Sequence, residues 1–261
     1  MLIPSFEDPT LNRTLSLFVN DLQDILHAKL LSIYLYGFAL YNDLSPGYGD
    51  LDFLVLIGEE LNHNEIELLI KLRAFYRSSS LKLYTDILEG AFLTVNILNG
   101  GKGCGLWWGT KRESIWAENQ LDLFTLYTIR EHSVLLYGES QQDDIPSYSR
   151  QELMIFLKEY AMCMRKYGKG KGLHSVDWLL LASKFIAWWR EGTVLSKSQA
   201  ADWGLIHLSG SWKENLMRCK QLRKDPALLT QQDYSEWLSN LEPVIIVASY
   251  DLDRTLETSE D

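Results

Sequence analysis

The sequence predicts an α+β protein, in which a small mixed sheet with flanking helices over residues 1–148 precedes a helical bundle over residues 149–261. In the first part, helical periodicity alternates with short runs of β-branched and aromatic residues, a pattern typical of helices packed on a sheet. From about residue 150 the apolar spacing is helical almost throughout, which favours a bundle. We place the boundary in the polar stretch 138–147, because domain linkers are commonly polar and contain proline.

Composition and charge limit the classes of function. The 261 residues include 35 acidic and 25 basic side chains, and 46% of them are hydrophobic, which is enough for a buried core. The net charge of -10 disfavours binding to nucleic acid or to an anionic membrane surface. The three cysteines form no C-x-x-C pair, the amino-terminal residues do not resemble a signal peptide, and no apolar run approaches the ~18 residues of a membrane helix. We therefore expect a reduced, cytoplasmic protein.

The elements of the first part follow from local patterns. Apolar residues at helical spacing predict a helix over residues 11–30. Three runs rich in β-formers predict strands at 32–37, 51–57 and about 87–98. Asn62, followed by Glu65 three residues later, predicts a capping box at the start of another helix.

From Gln120 onward the chain carries several helix start and stop signals. The segment from Gln120 to Leu136 is predicted as one helix that stops at Gly138. Two further capping boxes are expected, at Ser149 with Glu152 and at Ser196 with Gln199, and a helix over about 175–190 is expected between them.

Asp50 and Asp52 are the most informative side chains. They lie two residues apart at the start of a predicted strand, so both side chains project from one face of the sheet. Two neighbouring carboxylates repel one another and are costly to bury without a positive charge. Because all the ligand atoms are oxygen, Mg²⁺ is the natural candidate. Taken alone, a D-x-D pattern is also typical of a solvated strand start.

The segment 35–57, which combines a strand, Gly37, a turn and the two aspartates, resembles the nucleotidyltransferase superfamily with the DNA polymerase β-like fold. Two further stretches resemble one branch of it, the aminoglycoside adenylyltransferases that modify streptomycin and spectinomycin. Residues 130–134 read R-E-H-S-V and residues 197–203 read K-x-x-A-A-D-W, both in the family's order. The resemblance extends from about residue 30 to residue 205.

The resemblance implies a role for each matching residue. Asp50 and Asp52 would hold Mg²⁺ and the nucleotide phosphates, with ATP as co-substrate. Glu89 would be the base that deprotonates the attacking hydroxyl, with Asp86 as a competing candidate. A second set would bind nucleotide in the cleft between the two domains: Gly37, Gly49, Lys184 and Lys197.

The sequence departs from the family at several positions. Phe38 and Gly49 stand where the family has serines whose hydroxyls bind triphosphate, although backbone N–H groups of the turn around Gly49 offer an alternative donor set. In the acceptor pocket, Trp107 is similar to a tryptophan that stacks on the substrate. Asp177 and His174 lie near positions where the family has acidic side chains.

The expected function is transfer of AMP from Mg-ATP to a hydroxyl of a small, cationic acceptor such as an aminoglycoside or spectinomycin. The expected partners are a nucleotide and a small molecule, without nucleic acid or membrane; the sequence does not indicate an oligomeric state. Three alternatives stay open: the same fold with another donor or acceptor, a binding module without activity in which Phe38 blocks the phosphate site, and a transferase that modifies a protein.

Overall fold

The computed structural model describes residues 5–45, 47–79 and 83–258. The chain forms two compact units, Met1–Asn42 with Asp50–Ser147, and Asp43–Gly49 with Tyr148–Asp261. The segment Asp43–Gly49, which lies within the predicted first domain, therefore groups with the second unit.

The first unit contains a mixed sheet. Its six strands are β1 (Leu30–Tyr36), β2 (Leu51–Ile57), β3 (Leu88–Thr94), β4 (Gly105–Trp108), β5 (Glu113–Trp116) and β6 (Val134–Gly138). The strand order is β5-β4-β3-β2-β1-β6. Only β2 and β3 run parallel among these pairs, and the other four pairs are antiparallel. This sheet, together with the helical second unit, confirms the predicted fold class.

The described part of the first unit also contains the helices α1 (Pro9–Leu26), α2 (His63–Ser78), α3 (Val95–Leu98) and α4 (Leu123–His132). Asp8 caps α1 by accepting hydrogen bonds from the N–H groups of Thr10 and Leu11. The apolar residues of α1 that recur at helical spacing are buried. The capping box predicted for α2 is present, since Asn62 and Glu65 bond to one another's backbone N–H groups.

Three predicted elements are wrong in extent. The helix expected over 11–30 ends at Leu26, and β1 begins at Leu30 because that residue pairs with Ile57 of β2. The strand expected to reach residue 98 ends at Thr94, because the Thr94 hydroxyl accepts the N–H of Ile97 and starts the short helix α3. The helix expected over 120–136 ends at His132, and the following residues form β6. They do so because β1, about a hundred positions earlier in the chain, offers a free edge with which β6 pairs.

The second unit contains six helices among its described residues: α5 (Arg150–Tyr167), α6 (Asp177–Glu191), α7 (Lys197–His207), α8 (Asn215–Lys224), α9 (Gln232–Ser239) and α10 (Glu242–Glu257). Both predicted capping boxes are present, at Ser149 and at Ser196. The most deeply buried helix is α6, which packs against α7 and α10 and ends at Gly192 with φ +72°. Within the described ranges, no helix is both long and apolar enough to span a membrane.

Candidate active site

The first strand is followed directly by Gly37, which lies against Asp52. Tyr36 pairs with Asp52 across β1 and β2, so the next residue passes beside the Asp52 carboxylate. Gly37 has φ +80°, and a Cβ atom there would lie 2.3 Å from Oδ2 of Asp52. Only glycine combines this backbone conformation with the clearance that the carboxylate needs. The residue predicted to bind nucleotide therefore also determines where Asp52 is placed.

We expect Gly37→Ala to destabilise the first unit by about 1–3 kcal/mol, because an alanine at this φ is strained and its methyl group would displace the Asp52 carboxylate. The free energy of unfolding in urea measures this loss. Gly172→Ala is the matched control, since Gly172 has an extended backbone and nothing lies within 4 Å of its added Cβ. Equal stabilities for the two variants would contradict the proposed clearance role of Gly37.

Three carboxylates meet at the start of the two parallel strands. Asp52, the second residue of β2, lies opposite Glu89, the second residue of β3, in the parallel register. Register partners project from the same face of a sheet. Asp50, directly before β2, shares a side-chain hydrogen bond with Glu89. The structure thus brings together the three residues predicted to be catalytic, whereas Asp86 is exposed in a 3₁₀ turn before β3.

The electrostatics of this cluster favour a proton or a cation. Burial, followed by the charge of Asp50 and the hydrogen bond with it, raises the pKa of Glu89 to about 8; the N–H of Thr110 donates to the Glu89 carboxylate and offsets part of this effect. The pKa of the Tyr36 hydroxyl is also raised, first by burial and then by the charges of Asp52, Asp122 and Glu89. A proton or a cation would therefore relieve the repulsion between the Asp50 and Glu89 carboxylates.

The donor atoms suit Mg²⁺. Among residues 5–45, 47–79 and 83–258, no group of three or more His, Cys, Asp or Glu side chains is arranged to hold a metal by itself. Magnesium does not require such a group, because it commonly binds one or two carboxylates and completes its shell with phosphate oxygens and water. Asp50 and Asp52 supply carboxylates of this kind, and a cation would relieve the repulsion within the cluster.

Glu89 also lines a pocket of about 350 Å³ in the first unit. Trp107, predicted to bind the acceptor, lines the same pocket and stacks on Trp116, with ring centroids 4.8 Å apart and planes 8° from parallel. The pocket is closed on one side by the turn of the β4–β5 hairpin, whose exposed Lys111 and Arg112 form no ion pair among the described residues. The sequence did not reveal this hairpin, since its strands have only four residues each.

The segment Asp43–Gly49 is ordered by its own hydrogen bonds. The N–H groups of Tyr48 and Gly49 both donate to the Ser45 carbonyl, each at 3.0 Å. These two donors are therefore engaged within the turn, in contrast to the expectation that backbone N–H groups here are available to an anion. The same segment is bound to α8 by Arg223, which no sequence pattern singled out.

Arg223 is fully buried and forms a network with Asp43. Its Nη1 donates to Asp43 Oδ1 at 3.0 Å and also to the Ser45 hydroxyl, and its Nη2 donates to the Asp43 carbonyl at 2.8 Å. The other Asp43 carboxylate oxygen accepts the N–H of Ser198 at 3.0 Å. The charged pair is therefore nearly saturated with hydrogen bonds, as a buried ion pair must be to persist.

Asp177 and Lys197, predicted to bind acceptor and nucleotide respectively, form an ion pair in the second unit. Lys197 Nζ lies 2.8 Å from Asp177 Oδ1, which also accepts the Tyr48 hydroxyl at 2.8 Å. His174 Nδ1 lies 3.5 Å from the second oxygen. Burial alone would raise the pKa of Asp177, but His174, Lys197 and Tyr48 outweigh it, and the pKa is lowered. A ligand of either residue must therefore share or replace this pairing.

We expect Asp177→Asn to destabilise the second unit by about 1.5–3 kcal/mol at pH 7, because the amide cannot balance the Lys197 charge. Since the pKa of Asp177 is lowered on folding, its contribution is complete above the aspartate pKa of the unfolded chain, about 4, and is lost as the pH falls further. Urea unfolding of both proteins at pH 7 and at pH 3.5 measures this difference.

Asp202→Asn is the control for this prediction. Asp202 pairs with Lys220 on the surface, and its side chain is 52% exposed. Its replacement is expected to cost less than about 1 kcal/mol at either pH. An Asp177→Asn penalty that does not shrink in acid would contradict the ionic origin of the effect.

The remaining predicted residues have simpler surroundings. Lys184 is half-buried in α6, in the second unit. Arg130 of the R-E-H-S-V stretch donates to the carbonyls of Gln142, Asp143 and Ile145, so it joins α4 to the segment after β6. That motif therefore has a structural role in this chain.

The mixed six-stranded sheet and the helical unit together have the fold of a solved adenyltransferase structure. The chain is similar to the crystal structure of spectinomycin adenyltransferase AAD(9) from Enterococcus faecialis with ATP and spectinomycin, with a TM-score of 0.66 and 16% identity. The match covers 95% of this chain and 99% of that chain, which confirms the fold predicted from the motifs. No family model matches the chain, and no curated protein is significantly similar to it in sequence.

Proposed function

We propose that the protein is a nucleotidyltransferase that transfers AMP from Mg-ATP to a hydroxyl of a small acceptor and releases pyrophosphate. The observation that carries this proposal is the convergence of Asp50, Asp52 and Glu89 at the start of two parallel strands. The fold supports it, because the similar adenyltransferase was crystallised with ATP and spectinomycin.

In the proposed reaction, the acceptor hydroxyl oxygen attacks the α-phosphorus of ATP. A new oxygen–phosphorus bond forms, the bond from the α-phosphorus to the bridging oxygen breaks, and pyrophosphate leaves. Glu89, in its deprotonated form, accepts the proton of the hydroxyl. Asp50 and Asp52 would hold Mg²⁺, which when bound supplies positive charge to the phosphates.

The other proposed ligands of the nucleotide are Gly37, Lys184 and Lys197, whereas the Gly49 N–H already donates to the Ser45 carbonyl. Gly37 allows a phosphate to approach the backbone beside Asp52. Lys184 and Lys197 would balance phosphate charge, Lys197 by exchanging its bond with Asp177 for one with a phosphate oxygen. Phe38 offers no hydroxyl, so we expect weaker nucleotide binding than a serine at this position would give.

For the acceptor, we propose Trp107 as a stacking surface and Asp177 as a partner for a cationic group. A second candidate acceptor is favoured by Lys111 and Arg112, which line the pocket of Glu89 and Trp107 without an ion pair among the described residues. Two exposed cations there suit an acceptor with a phosphate or carboxylate group. The acceptor panel should therefore contain both polycationic and anionic hydroxyl compounds.

The test is Mg²⁺-dependent release of pyrophosphate from ATP by the purified chain, with spectinomycin, streptomycin, other aminoglycosides and sugar phosphates as acceptors. We expect release to require one acceptor and to fall at least about 10³-fold in Asp52→Asn. Asp24→Asn, an exposed aspartate of α1, is the control and should retain activity. Mg-ATP binding without release would direct the search to other acceptors, whereas no binding of any nucleoside triphosphate at millimolar concentration would contradict the proposal.

A further inference from the structure

Arg73 is a buried cation in the first unit. It belongs to none of the sequence motifs described above and has no part in the proposed reaction. It lies on α2, is fully buried, and forms no salt bridge with a described carboxylate. Burial, followed by the charge of Arg77, lowers its pKa to about 10, so it stays charged at neutral pH. A charged group in this environment is costly to bury unless it is hydrogen-bonded, so the partners of Arg73 decide how it is accommodated.

The hydrogen bonds of Arg73 join two separate segments of backbone. Nη1 donates to the carbonyl of Thr85 at 2.8 Å, and Nη2 donates to the carbonyl of Asp86 at 3.1 Å, both in the turn directly before β3. Nη2 also donates to the carbonyl of Gly109 at 3.4 Å, directly after β4. The guanidinium therefore links the start of β3 to the end of β4, where the Gly109 carbonyl also accepts Arg77 Nη2 at 2.6 Å.

These two segments are the ones that flank Glu89. The pairing of β3 with β4 ends at Gly90 opposite Trp108. Glu89 and Thr110 lie beyond that last pair, yet the Thr110 N–H donates to the Glu89 carboxylate. The hydrogen bonds between β3 and β4 therefore do not by themselves fix the contact between Thr110 and Glu89. The hydrogen bonds of Arg73 join the two segments just beyond the last paired residues.

We propose that Arg73 is a positioning residue for Glu89, which holds the β4–β5 turn against the start of β3 so that the Thr110 N–H and the wall of the Trp107 pocket meet the Glu89 carboxylate. This inference rests on the proposed function for its catalytic consequence. The bridge requires an arginine, because lysine provides the charge from a single nitrogen and lacks the fork that spans both segments.

The test compares Arg73→Lys with Leu69→Ala in the full chain. Leu69 is also fully buried on α2, so its truncation removes stability without removing a hydrogen bond. For Arg73→Lys we expect kcat to fall at least about 10-fold while the KM for ATP changes less than about threefold. Leu69→Ala should retain kcat at a temperature at which both variants are folded.

The second measurement does not depend on activity. Hydrogen exchange by NMR compares the amide of Thr110 with that of Phe53 in the central strand β2 of the same protein. We expect the ratio of the two rates to rise at least about 10-fold in Arg73→Lys and to stay unchanged in Leu69→Ala. An unchanged ratio in a folded Arg73→Lys protein would overturn the proposal, even if kcat falls.

The two proposals fail in different ways. If the wild-type chain transfers no nucleotide, the proposed function fails, and the Thr110 exchange ratio still decides whether Arg73 holds the turn. If Arg73→Lys does not fold, Thr110→Pro replaces it, because this variant keeps Arg73 and removes the N–H donor on an exposed turn. A fall in kcat comparable to that expected for Arg73→Lys supports the proposal, and an unchanged kcat overturns it.

Discussion

Replacement of Glu89 by glutamine is expected to lower kcat for nucleotidyl transfer by about 10²–10⁴-fold, the range typical of a lost general base. The amide keeps the size of the side chain and accepts the Thr110 N–H, but it cannot take a proton from the acceptor. Glu89 is the carboxylate that lies opposite Asp52, bonds to Asp50 and lines the pocket with Trp107. Steady-state kinetics with a saturating acceptor measure the effect.

Asp86→Asn is the matched control for this substitution. Asp86 lies three residues earlier, and the sequence alone left it as a competing base. Its side chain is exposed in the turn before β3, and only its backbone carbonyl is engaged by Arg73. We expect its kcat to stay within about twofold of wild type. The opposite ranking of the two variants would assign the base to Asp86.

Replacement of Arg223 by methionine is expected to destabilise the second unit by about 3–5 kcal/mol, because it leaves the Asp43 carboxylate buried without its counter-charge. Asp43 is only 8% exposed, and Arg223 is not exposed at all. The methionine fills much of the same volume, so the loss reports the broken pair more than a cavity. Urea unfolding at pH 7 gives the free energy of unfolding.

Arg218→Met, on the same helix, is the control. Arg218 and Asp233 form a pair 3.4 Å apart on the surface, with side chains 42% and 58% exposed, and such pairs contribute less than about 1 kcal/mol. The double variant Asp43→Asn with Arg223→Met should recover part of the loss, because no unpaired charge remains buried. If the Arg223→Met variant is as stable as the Arg218→Met variant, the Arg223 network contributes little to the free energy of unfolding.

The Arg223 network also bears on the candidate site through the covalent chain. The segment that Arg223 and Ser198 hold, Asp43–Gly49, continues directly into Asp50. Arg223 therefore holds residues that come shortly before Asp50 in the sequence. We expect Arg223→Met to weaken Mg-ATP binding as well as stability, which calorimetry on the folded variant would detect.

Local patterns predicted a large part of this protein. Strand β2 begins and ends where its apolar run does, and all three capping boxes were readable from two residues each. Asp50 and Asp52 were identified by spacing, since a strand places alternate residues on one face whatever surrounds it. The resemblance to the adenylyltransferases added Glu89 and Trp107, which the structure places in one pocket.

Strand β6 and the β4–β5 hairpin were not predicted from the sequence. The residues of β6 form a strand only because they pair with β1, far away in the chain, and β4 and β5 are strands of four residues that pair with each other. The roles of Arg73 and Arg223 could not be predicted from the sequence either. Each arginine donates to backbone carbonyls of a distant segment, and a carbonyl has no sequence signature. The sequence by itself thus determined which side chains carry charge and on which face of a strand they lie. Only the tertiary structure decided which backbone segments the buried cations hold in place, because that depends on contacts between residues far apart in the chain.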